Sequence, residues 1–286
     1  MSITIGALLE LAARRLTDAG VPRPRLDARI MLCHVLGVGP EVILGWPERQ
    51  VDEAAEERMH DLVDERTLRR PISQIIGRRE FWSLDFAVTA DTLTPRPESE
   101  TLIETLLQVL PAKESAYRVL DLGTGTGCLL LTLLSELPAA TGLGVDASAA
   151  ALDVARNNAD ALGLADRATF REGHWGEGLA EPFNLVVCNP PYIGTGEIDD
   201  LDPEVARHEP RGALDGGVDG LDCYREILWS LGRLLAPAAW VVFEIGPGQA
   251  EPVAAMMQQV GLRVEGVQAD LAGMPRCVLA RSAASA

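Results

Sequence analysis

Beyond Pro97 the sequence alternates between strand-like and helix-like segments. Short apolar runs typical of strands occur at 118–122, 142–145, 169–172, 185–188 and 240–245, and helical periodicity occurs at 128–136, 149–162, 221–235 and 250–260. Strands separated by helices usually pair in parallel, with helices on both faces of the sheet. The last two strand candidates, around Val264 and Val278, have a short link that suits an antiparallel edge hairpin. An α/β fold is therefore predicted.

The chain before Pro97 has a different pattern. From Ile5 to about Arg70, apolar residues recur at intervals of three and four, and Gly20, Gly37 and Pro71 interrupt them. This predicts a small helical domain, with helices over about 5–19, 26–36 and 52–70. Residues 72–97 carry short apolar and aromatic runs that favour strands, so a linking hairpin is predicted there. The predicted domains are 1–72 (helical), 73–94 (hairpin) and 95–286 (α/β).

Composition narrows the classes of partner. The 286 residues carry a formal net charge of -17, which repels the phosphates that nucleic-acid binding depends on. No run of eighteen apolar residues occurs, so a cytoplasmic protein with no membrane partner and no direct nucleic-acid binding is predicted. Five arginines form a local basic cluster, interpreted as a solvated helix end rather than a docking patch: Arg66, Arg69, Arg70, Arg78 and Arg79.

Metal-ligating residue types are scattered. The five cysteines show no Cys-x-x-Cys spacing, and the four histidines form no ligand-spaced cluster. Reduced thiols and no metal site are predicted.

A glycine-rich loop joins the strand candidate 118–122 to the following helix. It reads Gly123-Thr124-Gly125-Thr126-Gly127, with Asp121 two residues before it. Glycines at such a junction let the backbone turn tightly and approach a ligand at the carboxyl edge of a parallel sheet. The spacing is not that of the Gly-x-Gly-x-x-Gly dinucleotide loop, and no lysine follows, which excludes a P-loop. A purely structural tight turn is the alternative.

Asp146 ends the next strand candidate, about twenty residues further on. A carboxylate there can accept hydrogen bonds from both hydroxyls of a ribose. The alternative is that Asp146 caps the helix that begins near Ser148. Because the glycine loop precedes it, the ribose role is preferred.

The most specific motif is Asn189-Pro190-Pro191-Tyr192, which follows the strand candidate 185–188. Two prolines stiffen the backbone, so the Asn189 side chain and the Pro190 carbonyl are held as acceptors. A planar amide or aryl amine is a poor nucleophile because its nitrogen lone pair is delocalised, so it must be oriented by such acceptors. The Tyr192 ring offers a flat face for packing on the planar group. A rigid loop with no binding role is the alternative.

These motifs together resemble the release factor glutamine methyltransferases, the PrmC/HemK family. Besides the glycine loop and the Asn-Pro-Pro-Tyr motif, the resemblance includes 79–84 (REFWSL) and 95–100 (PRPESE), and it extends over nearly the whole chain. It implies a Rossmann-like, seven-stranded class I methyltransferase sheet preceded by a helical domain that helps to dock a release factor. The implied reaction transfers a methyl group from S-adenosyl-L-methionine to the side-chain N5 of the glutamine in the Gly-Gly-Gln motif of class I peptide chain release factors.

The resemblance also implies residue roles. Gly123, Thr124, Gly125, Thr126, Gly127, Asp146, Trp175 and Asn189 would bind the cofactor, and Asn189, Pro190, Pro191 and Tyr192 would form the catalytic glutamine pocket. The sequence departs from the family at His174, where Asp is usual, and at Ser99, where Thr is common. A carboxylate at position 174 can accept from the adenine amino group, whereas a neutral imidazole offers one acceptor nitrogen.

Three other functions fit parts of the sequence. The Asn-Pro-Pro-Tyr motif also suits the aryl amine of a DNA adenine-N6 methyltransferase substrate. Such an enzyme must flip a base and grip phosphates, which the acidic charge and the absence of an evident recognition domain oppose. The sequence distinguishes a glutamine methyltransferase for a ribosomal protein less clearly from one for a release factor. A cofactor-binding docking module without activity is disfavoured by the intact pocket motif. The stretch from Gly194 to Asp222, rich in proline and glycine, is predicted to be a mobile lid.

Overall fold

The computed structural model describes residues 3–284; residues 1–2 and 285–286, at the outer ends of the first and last predicted domains, lie outside it. The α-helices are α1 (Ile5–Asp18), α2 (Pro24–Leu36), α3 (Pro40–Gly45), α4 (Glu53–Thr67), α5 (Ile72–Ile76), α6 (Glu100–Val109), α7 (Cys128–Glu136), α8 (Ala149–Ala161), α9 (Pro203–His208), α10 (Asp222–Leu231) and α11 (Ala250–Gln259). The strands are β1 (Arg78–Phe81), β2 (Leu84–Ala87), β3 (Arg118–Leu122), β4 (Thr141–Asp146), β5 (Ala168–Glu172), β6 (Phe183–Cys188), β7 (Leu235–Glu244), β8 (Arg263–Ala269) and β9 (Pro275–Arg281).

The chain divides into two compact units. The first contains the described part of Met1–Gly77 together with Asp202–His208. Capping residues set the ends of its helices. The Thr4 side chain caps the start of α1, the Asp52 side chain caps the start of α4, and Gly37 ends α2 in the left-handed conformation. The inner faces of α1, α2 and α4 form one apolar core that includes Leu8, Leu16, Met31, Leu32 and Met59.

The basic cluster at the end of α4 differs from its prediction. Arg66 is only 5% exposed, so its interpretation as part of a solvated helix end is wrong. Its guanidinium donates to Asp27 and to Glu204, each at 2.8 Å. Arg69 donates to the same Glu204 carboxylate at 2.6 and 2.8 Å. Two arginines therefore hold α9 within the first unit.

The second unit is built on a seven-stranded sheet with the order β5-β4-β3-β6-β7-β9-β8. The strands from β5 to β7 are parallel, and β9 is antiparallel to both of its neighbours. The predicted α/β fold with a mostly parallel sheet and an antiparallel edge hairpin is confirmed. Strand order reverses between β3 and β6, and such a reversal opens a ligand crevice at the carboxyl ends of the strands.

Helices cover both faces of this sheet. One apolar core packs α6 and α7 on one face, and a second packs α10 and α11 on the other. The predicted hairpin is formed by β1 and β2, whose Phe81 and Phe86 are buried in the first of these cores. Its turn places Trp82 and Ser83 at positive φ. The strand prediction is wrong at Ile75 and Ile76, which end the short helix α5.

The segment predicted to be a lid carries short helical turns. Thr195–Asp200 and Arg211–Ala213 are 3₁₀ turns on either side of α9. Among residues 3–284, no helix combines the length and the apolar character needed to cross a lipid bilayer.

Candidate functional site

The glycine loop follows β3 and begins α7, as the sequence predicts. Its three glycines have φ values of 73°, 54° and 79°, in the left-handed region that side chains with a Cβ avoid. The amides of Gly123 and Thr124 both donate to the Val145 carbonyl, at 2.8 and 3.0 Å. The loop is therefore folded back against the end of β4. A Cβ built on Gly125 would meet nothing within 4 Å, so the backbone there faces open space.

Asp146 anchors the loop from the end of β4. One oxygen accepts from the Gly125 amide at 2.8 Å, and the other accepts from the Ser148 amide at 2.9 Å. Ser148, not Asp146, is the N-cap of α8, because its hydroxyl accepts from the Ala151 amide. Each carboxylate oxygen can accept a second hydrogen bond, so Asp146 retains acceptor capacity for a ligand.

Asp121 lies beneath the same loop and is fully buried. Burial raises the pKa of its carboxyl group to about 7, although a hydrogen bond from the Thr124 hydroxyl at 2.6 Å opposes the shift. The nearby negative charge of Asp146 adds to the increase. The Asp121 carboxyl group, with a pKa near neutral, therefore lies buried below the predicted cofactor loop.

A cavity of about 490 Å³ opens over these groups. Eight predicted site residues line it: Gly123, Thr124, Gly125, Thr126, Asp146, Trp175, Asn189 and Pro191. Gly127, Pro190 and Tyr192 are not among its lining residues. The parallel sheet explains the grouping, since β3, β4 and β6 are adjacent and deliver their following loops to one edge.

Trp175 lies beside the glycine loop. Its ring would be 3.4 Å from a Cβ built on Gly123, and its Nε1 donates to Glu226 at 2.9 Å. His174, at the departure from the family pattern, places its Nε2 3.6 Å from the same Glu226 carboxylate. Glu226 also lines the cavity. Glu226 was not predicted, because nothing in the periodicity of α10 marks it.

Asn189 follows β6, and its Nδ2 donates to Ser99 Oγ at 3.4 Å. Ser99 in turn donates to Glu244, the last residue of β7, at 2.5 Å. Glu244 was not predicted. An acidic residue that ends an otherwise apolar strand was the available signal, the same signal that marks Asp146.

Tyr192 occupies the edge of this region. Its ring packs so close to Gly246 that a Cβ there would be 2.8 Å from the ring, and its carbonyl accepts from Gln249 at 2.9 Å. Burial raises the pKa of its phenol to about 12, so the hydroxyl stays protonated at neutral pH.

Comparison with known proteins agrees with this architecture. The family model for the PrmC N-terminal domain matches residues 7–77, and that for the methyltransferase small domain matches residues 100–203. A solved methyltransferase from Pyrococcus furiosus shares the fold with a TM-score of 0.51 at 13% identity, covering 71% of this chain and 90% of that one.

Curated relatives are much more similar in sequence. The release factor glutamine methyltransferase of Rhodospirillum rubrum is 46% identical, over 99% of this chain and 87% of its own length. That of Caulobacter vibrioides is 43% identical, over 98% of this chain and 96% of its own length. The resemblance predicted from the motifs is confirmed: this chain belongs to the release factor glutamine methyltransferase family, and it is an S-adenosylmethionine-dependent methyltransferase.

Proposed function

We propose that this enzyme methylates the side-chain N5 of the glutamine in the Gly-Gly-Gln motif of class I release factors. One observation carries the proposal: Asn189 lines the same cavity as the glycine loop, with its Nδ2 donating to Ser99. Its Oδ1 has no hydrogen-bond partner among residues 3–284 and can accept from a substrate amide. The full-length relatives are named for release factor glutamine methylation, which supports the substrate.

The residues around the cavity suit the cofactor. The open backbone at Gly125 gives room for a close approach, the Asp146 carboxylate would accept from the ribose hydroxyls, and the Trp175 ring would lie against the adenine. We assign cofactor binding to residues 123–127, Asp146, Trp175 and Asn189. When bound, S-adenosylmethionine supplies a methyl group activated by its sulfonium charge.

The Asn-Pro-Pro-Tyr motif would orient the substrate. The Asn189 Oδ1 and the Pro190 carbonyl would accept the two N–H groups of the glutamine amide and direct its nitrogen toward the methyl group. Pro191 stiffens this corner, and Tyr192 would complete the pocket wall. Because both acceptors are held in place before the substrate arrives, positioning contributes most of the acceleration. No strong base is required, since the nitrogen becomes very acidic on methylation and then loses its proton.

We assign the remaining parts of the chain by position. Residues 1–72 would help to dock the release factor, 73–94 would link the domains, and 95–286 would carry the reaction. A release factor substrate would place the reaction in the cytoplasm.

Labelled methyl transfer tests the proposal. The enzyme and tritiated S-adenosylmethionine are incubated with purified release factors, with ribosomal proteins or with DNA, in separate reactions. Incorporated label is counted in each reaction, and its position in a labelled protein is found by peptide mass spectrometry. We expect label on the Gly-Gly-Gln glutamine and none on a release factor with that glutamine changed to alanine. Label confined to DNA or to a ribosomal protein would reject the proposal.

The Asn189→Ala variant tests the role of the motif. It should lose methyl transfer while keeping its affinity for S-adenosylhomocysteine within about threefold, because the glycine loop and Asp146 are untouched. Turnover equal to that of the unaltered enzyme would refute the assigned role.

A further inference from the structure

Three side chains form a hydrogen-bonded chain behind the Asn-Pro-Pro-Tyr motif. Asn189 Nδ2 lies 3.4 Å from Ser99 Oγ, and Ser99 Oγ lies 2.5 Å from Glu244 Oε2. Ser99 is 2% exposed and Glu244 is 1% exposed. Glu244 is further fixed through its carbonyl, which accepts from the buried Tyr224 hydroxyl at 2.8 Å.

The sheet explains why these groups meet. In the register of β6 and β7, Cys188 pairs with Phe243, so Asn189 and Glu244 are the next residues along two parallel strands. Ser99 approaches them from the 3₁₀ turn Pro97–Ser99, which leads into α6. The chain of contacts therefore joins three segments that are far apart in the sequence.

The directions of the two hydrogen bonds follow from the chemistry of the groups. An ionised carboxylate only accepts, so the single hydrogen of the Ser99 hydroxyl points to Glu244. The Ser99 oxygen can then only accept, and what it accepts is an N–H of Asn189. If the Asn189 amide were rotated by half a turn, its oxygen would face the Ser99 oxygen with no hydrogen between them.

We propose that Ser99 and Glu244 are positioning residues that fix the rotation of the Asn189 side-chain amide and so present Oδ1 to the substrate. The proposal rests on the function proposed above, because it assigns Oδ1 as the acceptor of the glutamine amide. Neither Ser99 nor Glu244 touches the reacting atoms in this scheme. They act through Asn189 alone.

Substitutions at Ser99 separate positioning from a structural role. Ser99→Ala removes the hydroxyl and should lower kcat for a release factor by about tenfold or more, because the acceptor is no longer held in one orientation. Ser99→Thr keeps the hydroxyl and should restore kcat to within about threefold. Affinity for S-adenosylhomocysteine, measured by calorimetry, should stay within about threefold of the starting value in both variants.

Two further variants provide a control for the loss of a buried hydroxyl and a second test of the hydrogen-bonded chain. Thr105→Val removes another buried hydroxyl, six residues further along the chain in α6, which hydrogen-bonds Thr101 and Cys277 instead of Asn189. It should leave kcat unchanged. Glu244→Gln can donate to Ser99, which frees the Ser99 hydrogen to face Asn189 Oδ1, so kcat should fall even if Ser99→Ala does not fold.

Side-chain amide NMR provides a readout that needs no substrate. The Asn189 NH₂ signals, identified by their loss in Asn189→Ala, should show slowed hydrogen exchange in the unaltered enzyme and in Ser99→Thr, and fast exchange in Ser99→Ala. Unchanged exchange in Ser99→Ala, or a kcat for Ser99→Thr as low as for Ser99→Ala, would overturn the proposal. If the unaltered enzyme labels no release factor, the proposed function fails, and the NMR result still decides whether the pair orients Asn189.

Discussion

At the scale of single residues, Glu244 is predicted to make the reaction sensitive to pH. Burial raises the pKa of its carboxyl group to about 7, opposed by the Ser99 hydrogen bond and by the charges of Arg276 and Arg96, while Glu98 raises it further. The negative charge of Glu244 in turn raises the pKa values of the titratable groups around it: Tyr192, Tyr224, Cys128, Cys188 and Cys277. As pH falls through about 7, Glu244 gains a proton and can donate to Ser99, so under the positioning role proposed above the orientation of Asn189 would no longer be fixed.

We therefore predict that kcat is highest above this pKa and falls as pH decreases from 8 to 6. The measurement is single-turnover methyl transfer across this range, at saturating cofactor. Glu244→Gln, which cannot titrate, should give a lower and flatter profile. An equal inflection in Glu244→Gln would contradict the assignment and point to Asp121, whose pKa is also raised to about 7.

Glu226 is predicted to contribute to cofactor affinity. It accepts from Trp175 Nε1 at 2.9 Å and lies 3.6 Å from His174 Nε2. Glu226→Ala frees the Trp175 ring to move, so the Kd for S-adenosylhomocysteine should rise by about three- to tenfold, because ordering the ring on binding then costs free energy. Calorimetry measures the change. The exposed Glu177→Ala is the matched control and should bind like the unaltered protein, and an equal weakening there would refute the prediction.

Some side chains at the cavity could be predicted from the sequence, and others could not. Asp146 ends one strand and Asn189 directly follows another, and the carboxyl ends of parallel strands share an edge, so the strand pattern predicts that the two residues lie close together. Glu226 lies on a helix whose rotation against the sheet is set by packing, so its sequence position gives no sign of a role. Ser99 and Glu244 are 145 residues apart, and only the strand order makes them neighbours.

At the scale of elements, the turn between β3 and α7 depends on glycine to different degrees along its length. Gly125→Ala places a Cβ in open space at φ 54°, so it should cost only backbone strain of about 1–2 kcal/mol. Gly127→Ala adds crowding, with a Cβ 3.1 Å from Leu131 and 3.3 Å from Ala155, and should cost about 2–4 kcal/mol in total. Urea unfolding of the two variants measures the difference. Equal losses would show that crowding at the helix start is relieved.

Elements with strong periodicity were predicted to within a few residues, and weak ones were not. The limits of β3 and α7 agree with the sequence patterns because a buried strand and an apolar helix carry clear signals on both sides of the glycine loop. By contrast, α3 has only six residues, too few for a helical period to show. β7 begins at Leu235, before its predicted start at Trp240. Its first residues pair irregularly with β6, since the register shifts before Trp240 and Ala238 has a φ of 58°, so they carry no regular strand pattern.

At the scale of the whole molecule, the sequence between the Asn-Pro-Pro-Tyr motif and α10 does not belong to one unit. Residues on either side of α9 belong to the second unit, and Pro210 and Asp215 line the cavity, whereas Asp202–His208 belongs to the first. From its proline and glycine content, this stretch is predicted only to be a mobile lid, with no division between units. The arginines that bind Glu204 of α9 are 135 or more residues earlier in the chain, so no local pattern could reveal them.

Part of the attachment of α9 depends on the Glu204 carboxylate and therefore on pH, alongside the hydrogen bond from Gln74 to the His208 carbonyl at 3.0 Å. Burial raises the pKa of Glu204, but the hydrogen bonds from Arg69 and Arg66 outweigh it and lower the pKa to about 2. Because the pKa is depressed on folding, this stabilisation is complete above the model-compound value of 4.5 and is lost as pH falls toward 2. Glu204→Gln should mimic the acid state at neutral pH.

We predict that Glu204→Gln speeds hydrogen exchange at the amides of Val205 and Ala206, which donate to the Asp202 carbonyl, by about tenfold or more. Exchange followed by mass spectrometry measures this, with the exposed Asp200→Asn as the matched control. Helices α1 and α2 should exchange at their usual rates, because their apolar core does not include Glu204. If α9 exchanges equally in Glu204→Gln and Asp200→Asn, the two arginines do not hold it, and its position comes from its other contacts, such as those of His208 with Gln74 and Leu68.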